Sequence, residues 1–552
     1  MMTRKIFTVL FDGYLLIGGY ILVTGGTFLL TPELLNLFRS KPGYHRLILS
    51  SFSLGFIFLF ALAQFFGPLE NHSKIIAFIR RLKIKPVYWL WFIFFVTGAV
   101  FSYSSFIRHH VFGSSFDFAI FAQSIRSVLN GKFLYSSIKG GICLLGDHAG
   151  TIILLFAPLY FLWDDPAVLL IFQALVGAGA IIPIYLISKL VLEDEKLGLV
   201  FSICYALYLP VRNAVRFDFH PEIVGLPLCL WAYYFVLTKR FYWASFSLFL
   251  TLLSKETACA PVAMFALYCW WFLKEPAFGI FWFSAAIFFF FLDIQVIVPY
   301  FSGRDYAYIG SNYVAWQKKG LSAFLSYFFQ PSSFTYLKKI FLPLGFFSFL
   351  SPPALILTFP TLFQNLGARN ELARSIFFQY TVFLTPYVFI SAIQGFRQFL
   401  EWAEKYWNTA NARLIGIYWL VGWSLLLSGV SELHIIQEYR RRDNPHFEYI
   451  RQFFKTIPQQ GSVRTHEFFS AHLAKRSELH IYENEHPLEG GSEKAQNADY
   501  VLIDRHFLGS PYKLHVEVLK ENGYVVIHER DGLYLLKRKR PLASLIYEIS
   551  NQ

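Results

Sequence analysis

Apolar runs at 6–30, 46–67, 87–106, 168–190, 197–215, 223–238, 241–254, 257–273, 277–299, 377–397 and 413–430 leave the first 430 residues little choice but membrane-spanning helices. A proline-broken stretch lies among them at 340–365. At roughly 20 residues per crossing they predict about 11 to 13 transmembrane helices, an all-α polytopic membrane protein. Composition agrees: 55% of residues are hydrophobic, 20% aromatic and only 15% charged, which sets the chain apart from soluble domains. The run at 6–30 is longer than a signal-peptide core and has no clear small-residue cleavage site, so it reads as a retained helix. Cys204, Cys229, Cys259 and Cys269 fall in apolar runs and Cys143 in a loop, which indicates neither a disulfide framework nor a thiolate metal site.

Orientation follows from short basic loops. "MMTRK", "KIIAFIRRLKIK" at 74–85, Lys239, Arg240 and Lys274 flank spans and favour the cytoplasmic side. They agree with one another only if "TIILLFAPLYFLW", 151–163, does not cross. Its 13 residues and internal Pro158 predict an interfacial or re-entrant helix. The loops 107–167, 212–222, 255–256 and 300–339 then open together on the outer face.

After residue 430 the hydropathy collapses. Residues 431–552 hold 17 Lys plus Arg against 17 Asp plus Glu, so the net charge of +13 resides in the membrane part. This tail reads as a soluble α/β domain: helices at "HFEYIRQFFKTI", "FFSAHLAKR" and "YKLHVEVLKENG", strands at "GSVRTHE" and "ADYVLIDR", and a hairpin turning at Asp531-Gly532. No phosphate loop is present, and neither nucleotide hydrolysis nor a nucleic-acid partner is expected. The division is a two-helix extension at 1–86, a membrane core at 87–430 with its first outer loop at 107–167, and the soluble domain at 431–552.

Polar groups gather on the outer loops. "SSFDFAIFAQSIRSVLNGK" offers Ser114 or Ser115 as a helix N-cap, with Phe118, Phe121, Ile125 and Val128 at helical spacing, as in an amphipathic helix lying on the membrane surface. Asp117 sits in its first turn, where the helix dipole favours a carboxylate. "GDHAG" places Asp147 beside His148, a pair able to bind a cation or handle a proton. In "RFDFHPE", extended spacing puts Asp218, His220 and Glu222 on one side of the chain, where the three could converge as ligands. "SKET" supplies Lys255 and Glu256, and a Lys at a membrane mouth suits an anionic lipid phosphate. Asp147, His148, Asp218, His220 and Glu222 are the candidate ligands of a divalent metal ion.

The ordered motifs "FDFAIFAQSI", "LGDHAGTIILLFAPLYFLW", "FQALVGAGAIIPIYLISKLVL", "RFDFHPEIVGLPL", "LLSKETACAPVAMFALY", "LPLGFFSFLSPPALILTFPTLFQNL" and "ADYVLID" resemble a family of bacterial and archaeal predicted membrane proteins with a domain of unknown function. That family is in turn similar to the GT-C superfamily of membrane glycosyltransferases. The resemblance implies an active site on the outer face of the cytoplasmic membrane, a polyprenyl-phosphate-linked sugar as donor, an acceptor of unstated identity, and a soluble outer domain after the last helix. It implies that Asp117 acts as base or positions the acceptor. Lys255, with Arg212 or Arg216, would then hold the departing phosphate, while His148, Asp218, His220, Glu222 and Glu256 complete the substrate pocket. Two spans precede the first core helix and "FDF" carries a single acid, so the metal dependence of some relatives is not carried over. The rival expectations are a transporter or lipid flippase, with charges spread through the membrane depth, and a scaffold presenting the C-terminal domain.

Overall fold

The computed structural model describes residues 84–308, 320–406, 409–428, 431–481, 496–508 and 512–539. The expected spans at 6–30 and 46–67, and with them Asp12, lie outside the described residues. Three described helices are long and apolar enough to cross a bilayer: α1 (Pro86–His110), Ala167–Leu192 and Pro276–Ser302. A fourth span forms if Glu195–Leu207 and Leu209–Arg216, bent by 49°, count together. Lipid offers backbone groups no partners, so these runs close their hydrogen bonds internally as helices. Other expected spans appear as shorter helices: Pro221–Leu237, Phe241–Leu252, Cys259–Trp271 and Ala412–Ser428. The run expected at 377–397 begins instead at Thr385 and continues to Tyr406.

Two stretches resist straight helix formation. Thr151–Phe156 is a 3-10 turn followed, after Pro158, by the short helix Leu159–Leu162. The stretch at 151–163, expected as one interfacial or re-entrant helix, is thus two short pieces. The 340–365 stretch is neither one crossing nor a simple hairpin. Pro343, Pro352, Pro353 and Pro360 divide it into Leu342–Leu344, Phe347–Leu350, Pro352–Leu355, Ile356–Thr358 and Phe359–Gly367, because a proline in a helix interior removes a hydrogen bond and clashes with the preceding turn. The pieces wedge against the helix Thr385–Tyr406 at Gly395, where a Cβ would stand 1.8 Å from the Phe347 carbonyl oxygen. Only glycine permits that approach.

After α1 comes α2 (Phe116–Leu129), then a ribbon of β1 (Tyr135–Ser136) and β2 (Ile142–Cys143). The remaining strands are β3 (Val463–Thr465), β4 (Leu479–Ile481), β5 (Tyr500–Asp504), β6 (Tyr524–Arg530) and β7 (Leu533–Arg538), ordered β4-β3-β5-β7-β6. The first three are parallel, with Val463 opposite both Leu479 and Tyr500; β7 runs antiparallel to β5, with Val501 opposite Leu536. Asp531 and Gly532 both take positive φ, at 49° and 75°, as a two-residue hairpin turn requires. Strand β4 was not anticipated in the sequence.

One face of this sheet buries Val501, Ile503 and Leu536 against Val516 and Leu519 of the helix Tyr512–Glu521. The other face buries Leu502, Leu533 and Leu535 with Phe447, Ile450 and Phe469, and also with Val111 and Phe112 from the end of α1. Phe112 is 1% exposed and holds a left-handed backbone at φ 58°, which drives its ring in among Phe447, Phe454 and Phe469. Polar contacts reinforce the junction: Arg451 Nη2 donates to the His110 carbonyl at 2.8 Å, and the His109 and His472 rings stack at 3.9 Å. The C-terminal domain therefore lies on the same side as the first loop.

This docking changes the reading of α2. Phe118, Phe121 and Ile125 are buried as expected, but Gln123, Ser124 and Ser127 on other faces are buried too. Gln123 Nε2 donates to the Arg476 carbonyl at 2.9 Å. The helix is sandwiched between the membrane core and the C-terminal domain, not laid on an open lipid surface. Its amphipathic pattern is blurred because Gln123, on the second face, meets Ser137 and Arg476.

Candidate functional site

Asp218 explains how the first loop is held. Its carboxylate pairs with Arg108 Nη1 at 2.8 Å and accepts from the backbone N–H groups of Ser115 at 3.0 Å and Phe118 at 3.4 Å. The N-cap position is Ser115, but no side chain of its own caps the helix. A carboxylate 100 residues away does so, satisfying orphan amides and complementing the helix dipole. Fully buried, Asp218 faces α2, where its contacts are those of an anchor for the first loop.

The expected convergence of Asp218, His220 and Glu222 does not form. Pro221–Val224 turns as a 3-10 helix, which swings Glu222 away from the extended segment before it. Glu222 Oε1 accepts from Lys255 Nζ at 2.8 Å; Glu222 is buried and Lys255 partly so. His220 Nδ1 meets the Asp218 carbonyl at 2.9 Å, leaving Nε2 directed at Asp117, 3.9 Å from Oδ2.

A second anchor brings His148 to the same place. The Ile152 amide donates to the Leu253 carbonyl at 3.0 Å, and Gly150 lies so close to the Ser254 carbonyl that a Cβ would be 2.9 Å from its oxygen. His148 Nδ1 then meets Glu256 Oε1 at 2.8 Å, and Tyr306 donates to the same oxygen at 2.8 Å. The other Glu256 oxygen accepts from the Ala149 amide at 3.2 Å. His148, Glu222 and Lys255 line one small cleft with Phe121, Leu144, Gly150, Ile153, Pro221 and Ser254.

Electrostatics differentiate these groups. Burial, then the nearby Asp218 carboxylate, raises Asp117 above the ordinary carboxylate range, although His220 and Lys255 oppose the shift. Burial alone would push Glu256 up, but His148 and Lys255 outweigh it and pull it to about 2. Burial would lower Lys255 and His148; Glu222 and Glu256 reverse this for the lysine, and Glu256 for the histidine, so both are raised. The result is a partly exposed acid held above the ordinary carboxylate range within electrostatic reach of a fixed cation, a division of labour that acid–base chemistry can use.

Several expected residues go elsewhere. Arg216 pairs with Glu438, and Arg212 Nη1 donates to the Ser428 carbonyl at 3.3 Å, so neither stands beside Lys255. These two arginines fasten the start of the C-terminal region. Asp147 pairs with Lys139 at 3.0 Å near the surface. Among the described residues, Asp147, His148, Asp218, His220 and Glu222 therefore do not assemble as one metal-ligand set. Residues not foreseen complete the surroundings: Burial raises Tyr308 and Tyr380, which lie within electrostatic reach of Lys255 and Glu222. Glu467 of the C-terminal domain is raised by burial and by Asp218 and Asp117, placing a third acid near Asp117. No local pattern marks these residues, since their partners are distant in sequence.

A multi-pass membrane protein with a charged cleft among its loops, and an α/β domain docked on the first loop, is the class that this fold and site define. The chain belongs to the family of predicted membrane proteins DUF2079, whose model matches residues 108–535. Among curated proteins none matches. Among solved structures, the chain is similar to ArnT from Cupriavidus metallidurans bound to undecaprenyl phosphate, with 11% identity over 81% of this chain and 98% of that one, at a TM-score of 0.49. The apo state of ArnT gives 10% identity over 76% and 92%, at 0.46. No residue role is carried over from either structure.

Proposed function

We propose that this protein is a GT-C-type glycosyltransferase that moves a sugar from a polyprenyl-phosphate donor to an acceptor on the outer face of the cytoplasmic membrane. The observation that carries the reading is the placement of Asp117, raised above its usual range and partly exposed, beside His220 and within electrostatic reach of Lys255, the cation of the cleft. In this reading Asp117 takes the proton of the acceptor hydroxyl, with His220 beside it as the group that orients the carboxylate. Lys255 stabilises the phosphate as the bond to the sugar breaks, since an anionic leaving group needs fixed positive charge where charge develops. Glu222 and Glu256 hold Lys255 and His148 in place, and Glu256 favours the charged form of His148 at the cleft wall.

The transporter reading has one observation in its favour. Asp293 is buried within Pro276–Ser302 at a π-helical turn, Leu292–Ile297, with Oδ2 unpartnered, and a polar group in a broken helix is what a pathway through the membrane needs. Binding of the lipid phosphate tests the part assigned to Lys255. The double substitution Lys255→Met with Glu222→Gln removes both charges of the pair together, which avoids stranding one of them in a buried site. It is expected to weaken binding of undecaprenyl phosphate by the protein in nanodiscs by at least tenfold, with the thermal midpoint little changed. Unchanged binding removes Lys255 from phosphate recognition.

A further inference from the structure

A second cluster of ligating side chains lies in the C-terminal domain, apart from the cleft. His446 opens the helix Pro445–Thr456, Asp504 ends β5, His506 lies in the short helix Arg505–Leu508, and Asp531 is in the β6–β7 turn. One donor atom each from His446, His506 and Asp531 lie within 4.8 Å of one another, and the two imidazole rings are 4.1 Å apart. The position is at the carboxyl end of β5 within the parallel part of the sheet, where α/β folds characteristically place ligands.

The hydrogen bonding around His446 points beyond a simple ion pair. Its Nε2 is 2.6 Å from Asp504 Oδ2, and its Nδ1 is 2.9 Å from Asp531 Oδ2. Asp504 is fully buried and fixed further by the His506 amide, which donates to Oδ1 at 2.8 Å. A neutral imidazole with its proton on Nε2, donated to Asp504, turns the lone pair of Nδ1 toward the Asp531 carboxylate. Two acceptors then face each other at 2.9 Å. Either a second proton or a cation must lie there. Two ligand atoms 2.9 Å apart, each about 2.1 Å from an ion, subtend an angle near 90°, and the exposed His506 can supply a third donor.

We propose that His446, His506 and Asp531 form a binding site for a divalent transition-metal ion of the zinc class. His446 binds through Nδ1 and Asp531 through Oδ2, with a fourth position open to solvent. Asp504 is the outer carboxylate that receives the Nε2 proton, sets the tautomer and fixes the ring, the usual partner of a metal-bound histidine. Arg505 Nη2 donates to Asp531 Oδ1 at 3.0 Å, which orients the carboxylate so that Oδ2 faces the imidazole. The ion would tie the first helix of the sheet domain to β5 and to the hairpin turn. It is independent of the cleft and of the sugar-transfer reading.

The test is zinc binding to the full chain in detergent, with any affinity tag removed, followed by calorimetry and by thermal unfolding with and without Zn²⁺. Co²⁺ substitution gives a spectroscopic reading of the coordination. The expected result is one Zn²⁺ per chain, a rise in the unfolding temperature, and at least a tenfold loss of affinity in both His506→Ala and Asp531→Asn. These two residues are exposed, so their substitution leaves the hydrophobic core intact. Absence of zinc uptake by the wild type, or uptake unaltered in both variants, overturns the site and leaves the cluster as an imidazolium held by two carboxylates.

Discussion

Asp218→Ala is expected to destabilise the protein by about 3–5 kcal/mol, because removing one member of a buried ion pair leaves the other charge uncompensated. Arg108 is the stranded partner, and the amides of Ser115 and Phe118 lose their acceptor at the same time. The loss should appear as a lower thermal midpoint in detergent and as faster proteolysis in the loop after α1. Asp218→Asn keeps an acceptor for the amides but not the charge, and should fall between the wild type and alanine. If Asp218 were instead a ligand of substrate or metal, the alanine variant would unfold like the wild type and lose only activity. That contrast separates an anchor from a participant.

Asp117→Asn has the opposite profile. Its carboxylate makes no short hydrogen bond, approaching His220 Nε2 only to 3.9 Å, and it is 36% exposed, so the midpoint should be unchanged. Turnover is expected to fall by about 10²–10⁴-fold, the usual contribution of a positioned general base. In the wild type, a base must be deprotonated to act, and burial raises Asp117. Activity should therefore decline on acidification at a pH above that of an ordinary carboxylate, and the asparagine variant should lack this limb. Full activity in Asp117→Asn takes the residue out of the chemistry, whatever role the cleft has.

Much of this was legible in the sequence wherever the deciding interaction is local. The hairpin at Asp531-Gly532 follows from the need for positive φ at both positions, and the tail's helices and longer strands follow from periodicity. Pro158 announced the break after Thr151–Phe156. The grouping of His148, Glu222 and Lys255 at one cleft followed from placing their loops on one face. What sequence could not provide was the direction of each side chain. Period-2 spacing predicted that Asp218, His220 and Glu222 converge; the 3-10 turn at Pro221 and the pull of uncapped amides in α2 sent them to three different partners. Arg212 and Arg216 looked like phosphate ligands because a cation near a membrane mouth usually needs an anion. Their partners, Ser428 and Glu438, come from more than 200 residues further along the chain, beyond the reach of local reasoning. The contributions of Glu467 and of the tyrosines were hidden for the same reason.

The central claim is that the cleft transfers a sugar from a lipid phosphate, and turnover measures it directly. Purified full-length protein in nanodiscs, given a panel of polyprenyl-phosphate sugars and a mixture of hydroxyl acceptors, would be followed for release of polyprenyl phosphate. The account predicts release from at least one donor by the wild type. No release from any donor by a folded sample that still binds the lipid phosphate would contradict it.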